Sequence, residues 1–312
     1  MSIDDSVEIK LNHIAFISSL ACLLISCTKK ETLVVNNNQV PKYKEVSTLM
    51  VENYINRLFI DLLGREATLS EREGLVKRLR FGKLSFSSRD SIVKMLQFDS
   101  SYRMGDSSYR KAYSTRMYLI AKARFLEGAA DMDIAQRSSN LNFAITVYQL
   151  NGDSVNMFAC RDQKKFFDRV LKSNYWFSRN SITYNQFLSY MLNNGIYDMI
   201  NMGSFNYVNA TFDDVFNRKP SIDEFNRAYA IIEKNIPTDI FNKVISNKNE
   251  YCEAITESSG FYEAEIRWWY FQYLRHEINS ATLFPILNTF LKDHSIENAQ
   301  RKILITDEYA QF

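Results

Sequence analysis

The sequence predicts an all-α fold: a multi-helix body containing three related helical repeats, after a signal peptide and a flexible tether. Three observations carry that prediction. Glycine (9) and proline (4) are scarce among 312 residues, which disfavours architectures with many tight turns. From Val51 onward apolar residues recur at i, i+3, i+4 and i+7, the spacing of a helix with one buried stripe. The same order of stripe, stop residue and helix cap then returns twice further along the chain. With 46% hydrophobic and 14% aromatic residues, material for a core is ample.

Residues 1–26 read as the signal peptide. The apolar run over residues 14–23 is shorter than the roughly 20 residues of a membrane span and suits a signal core. Leu24-Ile25-Ser26-Cys27 follows directly and resembles a bacterial lipobox. That resemblance implies cleavage before Cys27, lipidation of Cys27 and a lipid anchor outside the cytoplasm. Asp4, Asp5 and Glu8 outnumber Lys10 in the leader, where such signals are positively charged, so a buried apolar helix in a cytosolic protein is the competing reading. Cys22 fits less well, because Ser19 stands where an aliphatic residue belongs. Thr28 rather than Asp follows Cys27, which by the same resemblance implies the outer membrane, on its periplasmic face or at the cell surface. Residues 27–45 are polar and aperiodic, with Asn36-Asn37-Asn38 and Pro41, and read as the lipidated tether.

Repeat 1 spans residues 46–103. Its stripe is Val51, Tyr54, Ile55, Leu58, Phe59, Leu62 and Leu63. Gly64 is placed to take the left-handed conformation that stops a helix, and Thr68-Leu69-Ser70-Glu71 is a capping box for the next. Residues 104–203 read as a helical insertion. Tyr109, Ala112, Tyr113, Met117, Ile120 and Phe125 mark a long amphipathic segment, with turns expected at Asn151-Gly152-Asp153 and Asn193-Asn194-Gly195. In repeat 2, residues 204–255, Tyr207, Val208, Phe212, Val215 and Phe216 repeat the stripe, Asn217 replaces Gly64, and Ser221-Ile222-Asp223-Glu224 repeats the box. In repeat 3, residues 256–312, the stripe is Ile266, Trp269, Tyr270, Tyr273 and Leu274, with Arg275 at the stop and Asn279 at the cap. Ser88, Thr238 and Ser295 are expected to cap a final helix in each copy, and Tyr102, Tyr251 and Tyr309 to close it.

Residues 54–102, above all Arg57-Leu58-Phe59-Ile60-Asp61-Leu62-Leu63-Gly64-Arg65 and Leu96-Gln97-Phe98-Asp99-Ser100-Ser101-Tyr102, resemble two uncharacterised groups of bacterial helical domains. One is the extracellular repeat that is similar to phycobilisome linker domains. The other is the helical domain beside cytochrome modules in planctomycete proteins. Both groups carry a proline soon after the Gly-Arg; Pro220 conforms and Ala67 departs. The three copies cover about half of the chain, and because the shared motifs are structural the resemblance implies no catalytic residue.

Composition narrows the function classes. Removing the leader, with its one lysine and three acidic residues, leaves a net charge near +4 with no basic tract, so nucleic acid is not an expected partner. Cys160 and Cys252 remain beside Cys27, as a disulfide or as two separately buried thiols, and no Cys-x-x-Cys motif occurs. No Gly-rich phosphate loop, calcium loop or nucleophile elbow is present. No metal, cofactor or catalytic residue is therefore expected, and no enzyme. His276 reads as a helix-end cation, His294 as solvated, and Glu263 and Glu265 as carboxylates on a solvent face. The aromatic-dense segment Phe166, Phe167, Tyr175, Trp176, Phe177, Tyr184, Phe187 and Tyr190 is a core filler or, if its rings were exposed, a sugar platform. Arg65 and Arg218 recur after the first helix of their copies, able to grip a partner's carboxylates or to pair within their own repeat. The expectation is a lipid-anchored envelope protein that acts as a protein-interaction or scaffold module, with the membrane and another envelope protein as partners. The alternative is a glycan-binding accessory lipoprotein of the cell surface; an enzyme or electron-transfer accessory ranks below both.

Overall fold

The computed structural model describes residues 46–312; residues 1–45, read from the sequence as signal peptide and tether and including Cys27, lie outside the described residues. The described chain is all-α: 74% of it is helical, in fifteen helices, with one short two-stranded hairpin. Among the described residues no helix is long and apolar enough to cross a membrane.

Repeat 1 folds as its periodicity dictates. Helix α1 (Thr48–Leu63) buries all seven stripe residues, and Gly64 ends it at φ 75°. Thr68 and Glu71 exchange both bonds of the capping box at the start of α2 (Leu69–Phe81). The cap of helix α3 (Phe86–Phe98) falls three residues before the expected Ser88: Lys83 and Leu84 both take positive φ, the chain turns sharply, and Ser85 becomes the cap, accepting from the Ser88 N–H. Tyr102 does not close the repeat. It is 82% exposed in a loop, and the ring packed edge-to-face on Phe59 is that of Tyr109.

In repeat 2, α9 (Ser204–Phe216) stops at Asn217, φ 54°, and α10 (Ile222–Lys234) carries its complete capping box. Thr238 is not a cap. The chain there forms β1 (Thr238–Ile240) and β2 (Lys243–Ile245), antiparallel, turning through Phe241 and Asn242 at positive φ, and Asn247 caps α11 (Lys248–Glu257). In repeat 3, α12 (Ser259–Leu274) stops at Arg275, φ 64°; Asn279 caps α13 (Ser280–Asp293) and Ser295 caps α14 (Ile296–Leu304), before the short α15 (Asp307–Ala310).

The insertion supplies α4 (Tyr109–Phe125), α5 (Asp131–Leu150), α6 (Ser154–Ser178), α7 (Tyr184–Leu192) and α8 (Gly195–Ile200). Its last two helices reveal a correspondence deeper than the three copies. The Tyr207 hydroxyl donates to the Leu192 carbonyl (3.2 Å) while Tyr197 donates to Asp214 (2.7 Å). At the same spacings, Tyr54 donates to the Leu304 carbonyl (3.1 Å) while Tyr309 donates to Asp61 (2.6 Å). So α14–α15 seats on α1 as α7–α8 seats on α9, and the end of the chain locks onto its first described helix. This lock explains why Tyr309 is buried where Tyr102 is not: it serves repeat 1 across 248 residues.

Behind the lock lies a buried polar knot. Arg110, on α4, donates to Glu297 (2.8 Å), to the Phe177 carbonyl (2.8 Å) and to the Gln97 carbonyl (3.2 Å), tying α3, α4, α6 and α14 together. Both charges are almost wholly buried, so each depends on the other for compensation.

Candidate functional site

The two recurrent arginines occupy matching positions. Arg65 forks both terminal nitrogens onto Glu71 (2.8 and 2.9 Å) and reaches Asp106, and Arg218 forks onto Glu224 (2.6 and 2.8 Å). In each case the acceptor is the capping-box glutamate six residues on, so the guanidinium braces the corner between two helices. Burial works to raise the Glu71 carboxyl, but the Arg65 fork, the Thr68 N–H and the Tyr109 hydroxyl outweigh it and hold it at about 2. The Arg218 fork does the same for Glu224, also at about 2. The forks onto Glu71 and Glu224 are engaged inside their own repeats, and Arg65 is tied in addition to Asp106 of the insertion.

The remaining candidate residues are scattered. His276 pairs with Glu308 on the surface, and His294 takes a left-handed φ at the end of α13, its Nδ1 bonded to the Tyr262 hydroxyl. Glu263 pairs with Arg267 on the surface as expected, whereas Glu265 is fully buried, accepting from Arg124 (2.6 Å) and Tyr184 (2.6 Å). The repeat register holds the reason: Glu265 stands at the stripe position of Tyr54 and Tyr207, and such a position faces the core whatever residue fills it. Cys160 and Cys252 are separate thiols, the latter buried beside the Tyr207 hydroxyl. In the aromatic-dense segment Phe167, Phe177, Tyr184 and Phe187 are buried and fill the core, Phe166, Trp176 and Tyr190 are half-buried, and Tyr175 is exposed. Among the described residues no group of three or more His, Cys, Asp or Glu is arranged to hold a metal ion.

What the sequence reading passed over is the helical hairpin α5–α6. From residue 139 to residue 166 no side chain is buried, so each helix runs on about 18 Å past its last buried residue. The base is clamped: Lys122 and the Tyr118 hydroxyl both bind Asp131 (2.6 and 2.7 Å), and Ser114 donates to the Asn174 carbonyl (2.7 Å). The arm beyond carries apolar residues on the outside. Phe143 is 73% exposed, Leu150 82% and Val155 80%, joined by Val147 and Phe158. Phe143, Val147 and Leu150 fall at i, i+4 and i+7, one continuous stripe on α5. Asp153, at the hairpin turn, is the only charged side chain between Ser138 and Arg161, in a chain that is 24% charged. The signal was present in the sequence: a helix apolar on more than one face is normally buried.

No family model, curated protein or solved structure matches this chain.

Proposed function

We propose that the protein is a lipid-anchored envelope protein that works by contact, with the α5–α6 arm as its docking element for another protein. The observation that carries this reading is the arm's exposed, charge-free apolar stripe. Depletion of charge with enrichment of aromatic residues is the signature of the core of a protein interface. Weighted by exposure, Phe143, Val147, Leu150, Val155 and Phe158 offer roughly 600 Å² of residue surface, about three quarters of one side of a standard interface. The partner is therefore an uncharged apolar face on a second protein, one into which the stripe of α5 can pack as ridges into grooves. A bilayer fits less well, because insertion of the tip would carry Asp153 and the flanking Asn151 and Asn156 into hydrocarbon. The lipobox resemblance at Cys27 supports the anchor, and an anchor raises the local concentration of any partner on the same membrane. The linker-like resemblance of the repeats agrees with a contact role.

A photo-crosslinker placed at Val147 in intact cells tests this. The expected result is one discrete adduct to another envelope protein, lost in Phe143→Asp/Leu150→Asp. Adducts to lipid alone, or to a second copy of this chain alone, would overturn the reading of the partner. Retention in the membrane fraction with normal processing after Cys27→Ala would overturn the anchor.

A further inference from the structure

On another part of the body a cleft of about 400 Å³ opens between α1, α4 and α12. Helix α1 contributes Asp61, α4 contributes Arg116 and Arg124, and α12 with its stop residue contributes Trp268, Tyr273 and Arg275. The size is that of a small-molecule site. Its chemistry is uneven in an informative way.

Three guanidinium groups face one carboxylate. Arg124 is already used: it donates to Glu265 and to the Asp214 carbonyl, and lies 4.9 Å from the centre of the Trp268 ring. The side chains of Arg116 and Arg275 make no hydrogen bond or ion pair with any described residue, and the Nε of Arg116 is buried without a partner. Both act on Asp61 only through space. Asp61 accepts from Tyr309 on Oδ2, and Arg57 stands 3.9 Å from that same oxygen, which leaves Oδ1 without a hydrogen bond. Tyr273, almost wholly buried in the wall, has a hydroxyl with no acceptor. Neither of these two buried atoms opens to the cleft; what the cleft offers a ligand is the pair of guanidinium groups without partners, Arg116 and Arg275, beside an Asp61 oxygen free to accept.

The sequence has also made room for Arg116. A Cβ on Gly64 would stand 3.2 Å from the Arg116 Cδ, and φ 75° there is one that a side chain seldom adopts. In repeat 2 the equivalent stop residue is Asn217, so the turn itself does not demand glycine. Glycine at 64 lets the Arg116 side chain lie across the end of α1.

We propose that this cleft binds an acidic saccharide: Arg116 and Arg275 take the sugar carboxylate, Asp61 accepts from a ring hydroxyl, and the Trp268 indole lies against the C–H face of the ring. A planar carboxylate matches guanidinium forks. Asp61 selects for a hydroxyl donor beside the carboxylate, which benzoate does not have, and its charge disfavours a phosphate dianion more than a carboxylate monoanion. The site gives the glycan-binding alternative a location away from the aromatic-dense segment, and it stands independently of the arm.

Calorimetric titration of the full chain in detergent, with digalacturonate as the probe, tests the assignment. The expected result is saturable one-site binding, at least tenfold tighter than for the neutral digalactose or for benzoate, and weaker at high salt. Arg116→Ala and Arg275→Asn should each weaken it about tenfold or more. Arg275→Asn places at the helix stop the residue that repeat 2 carries there, so its fold is expected to be intact, checked by an unchanged unfolding midpoint. No saturable binding at millimolar digalacturonate, equal binding of digalactose or benzoate, or wild-type affinity in a folded Arg275→Asn would each overturn the proposal.

Discussion

Phe59 and Phe143 are the same residue on helices of similar length, and they have opposite fates. Phe59 sits in the repeat body, wholly buried, with Tyr109 edge-to-face against it and the Arg65 guanidinium 5.1 Å from its ring centre. Phe143 sits on the arm with nothing over it. The body encloses its own apolar stripes, closing even its ends through Tyr54, Tyr309 and Asp61, whereas the arm holds a second stripe outward. Apolar surface turned to water brings no folding stability, so the difference separates residues that build the molecule from residues available for contact.

Substitutions that empty the body should show the largest effects. Phe59→Ala is expected to cost about 3–5 kcal/mol in denaturant unfolding, while Phe143→Ala on the arm stays within about 0.5 kcal/mol. Equal costs at the two positions would erase the comparison. Close in size is the buried knot. Glu297→Ala leaves Arg110 charged and unpaired, at a cost of about 3–5 kcal/mol, and the Glu297→Ala/Arg110→Met double variant should recover part of that loss.

Next come the repeat corners. Thr68→Ala and Ser221→Ala should each cost about 0.5–2 kcal/mol, because each removes the acceptor for an N–H in the first turn of its helix. The capping-box glutamates then set an acid limit. Both carboxyls are held at about 2, below an unfolded value near 4.5, so their contribution is complete above about pH 4.5 and is lost as pH falls toward 2. Melting temperature followed against pH should decline across that window, less steeply in Glu71→Gln/Glu224→Gln. A smaller and purely local effect separates the thiols. Burial pushes Cys252 up to about 12, so iodoacetamide should modify the half-buried Cys160 in the native protein and reach Cys252 only after unfolding.

Where local chemistry decides structure, the sequence was a sufficient guide. The seven-residue stripe of α1, both complete capping boxes and the left-handed stops at Gly64, Asn217 and Arg275 are all set by neighbours within one or two turns. Where the decision is made at long range, local reading failed. Tyr102 and Tyr309 look alike in sequence, yet only Tyr309 has Asp61 to meet, 248 residues away. Ser88 and Thr238 are good cap residues displaced by a tight turn and by a hairpin. Glu265 reads as a surface charge until its stripe position is counted and Arg124 is found opposite. The acidic-saccharide cleft draws on α1, α4 and α12, which no spacing in the chain brings together.

The separation of body from arm is tested most directly by Phe143→Asp/Leu150→Asp, measured for stability and for complex formation on the same sample. The account predicts an unfolding midpoint within about 0.5 kcal/mol of wild type, together with loss of the envelope-protein adduct formed at Val147. A double variant that unfolds, or that stays folded and keeps its partner, would contradict it.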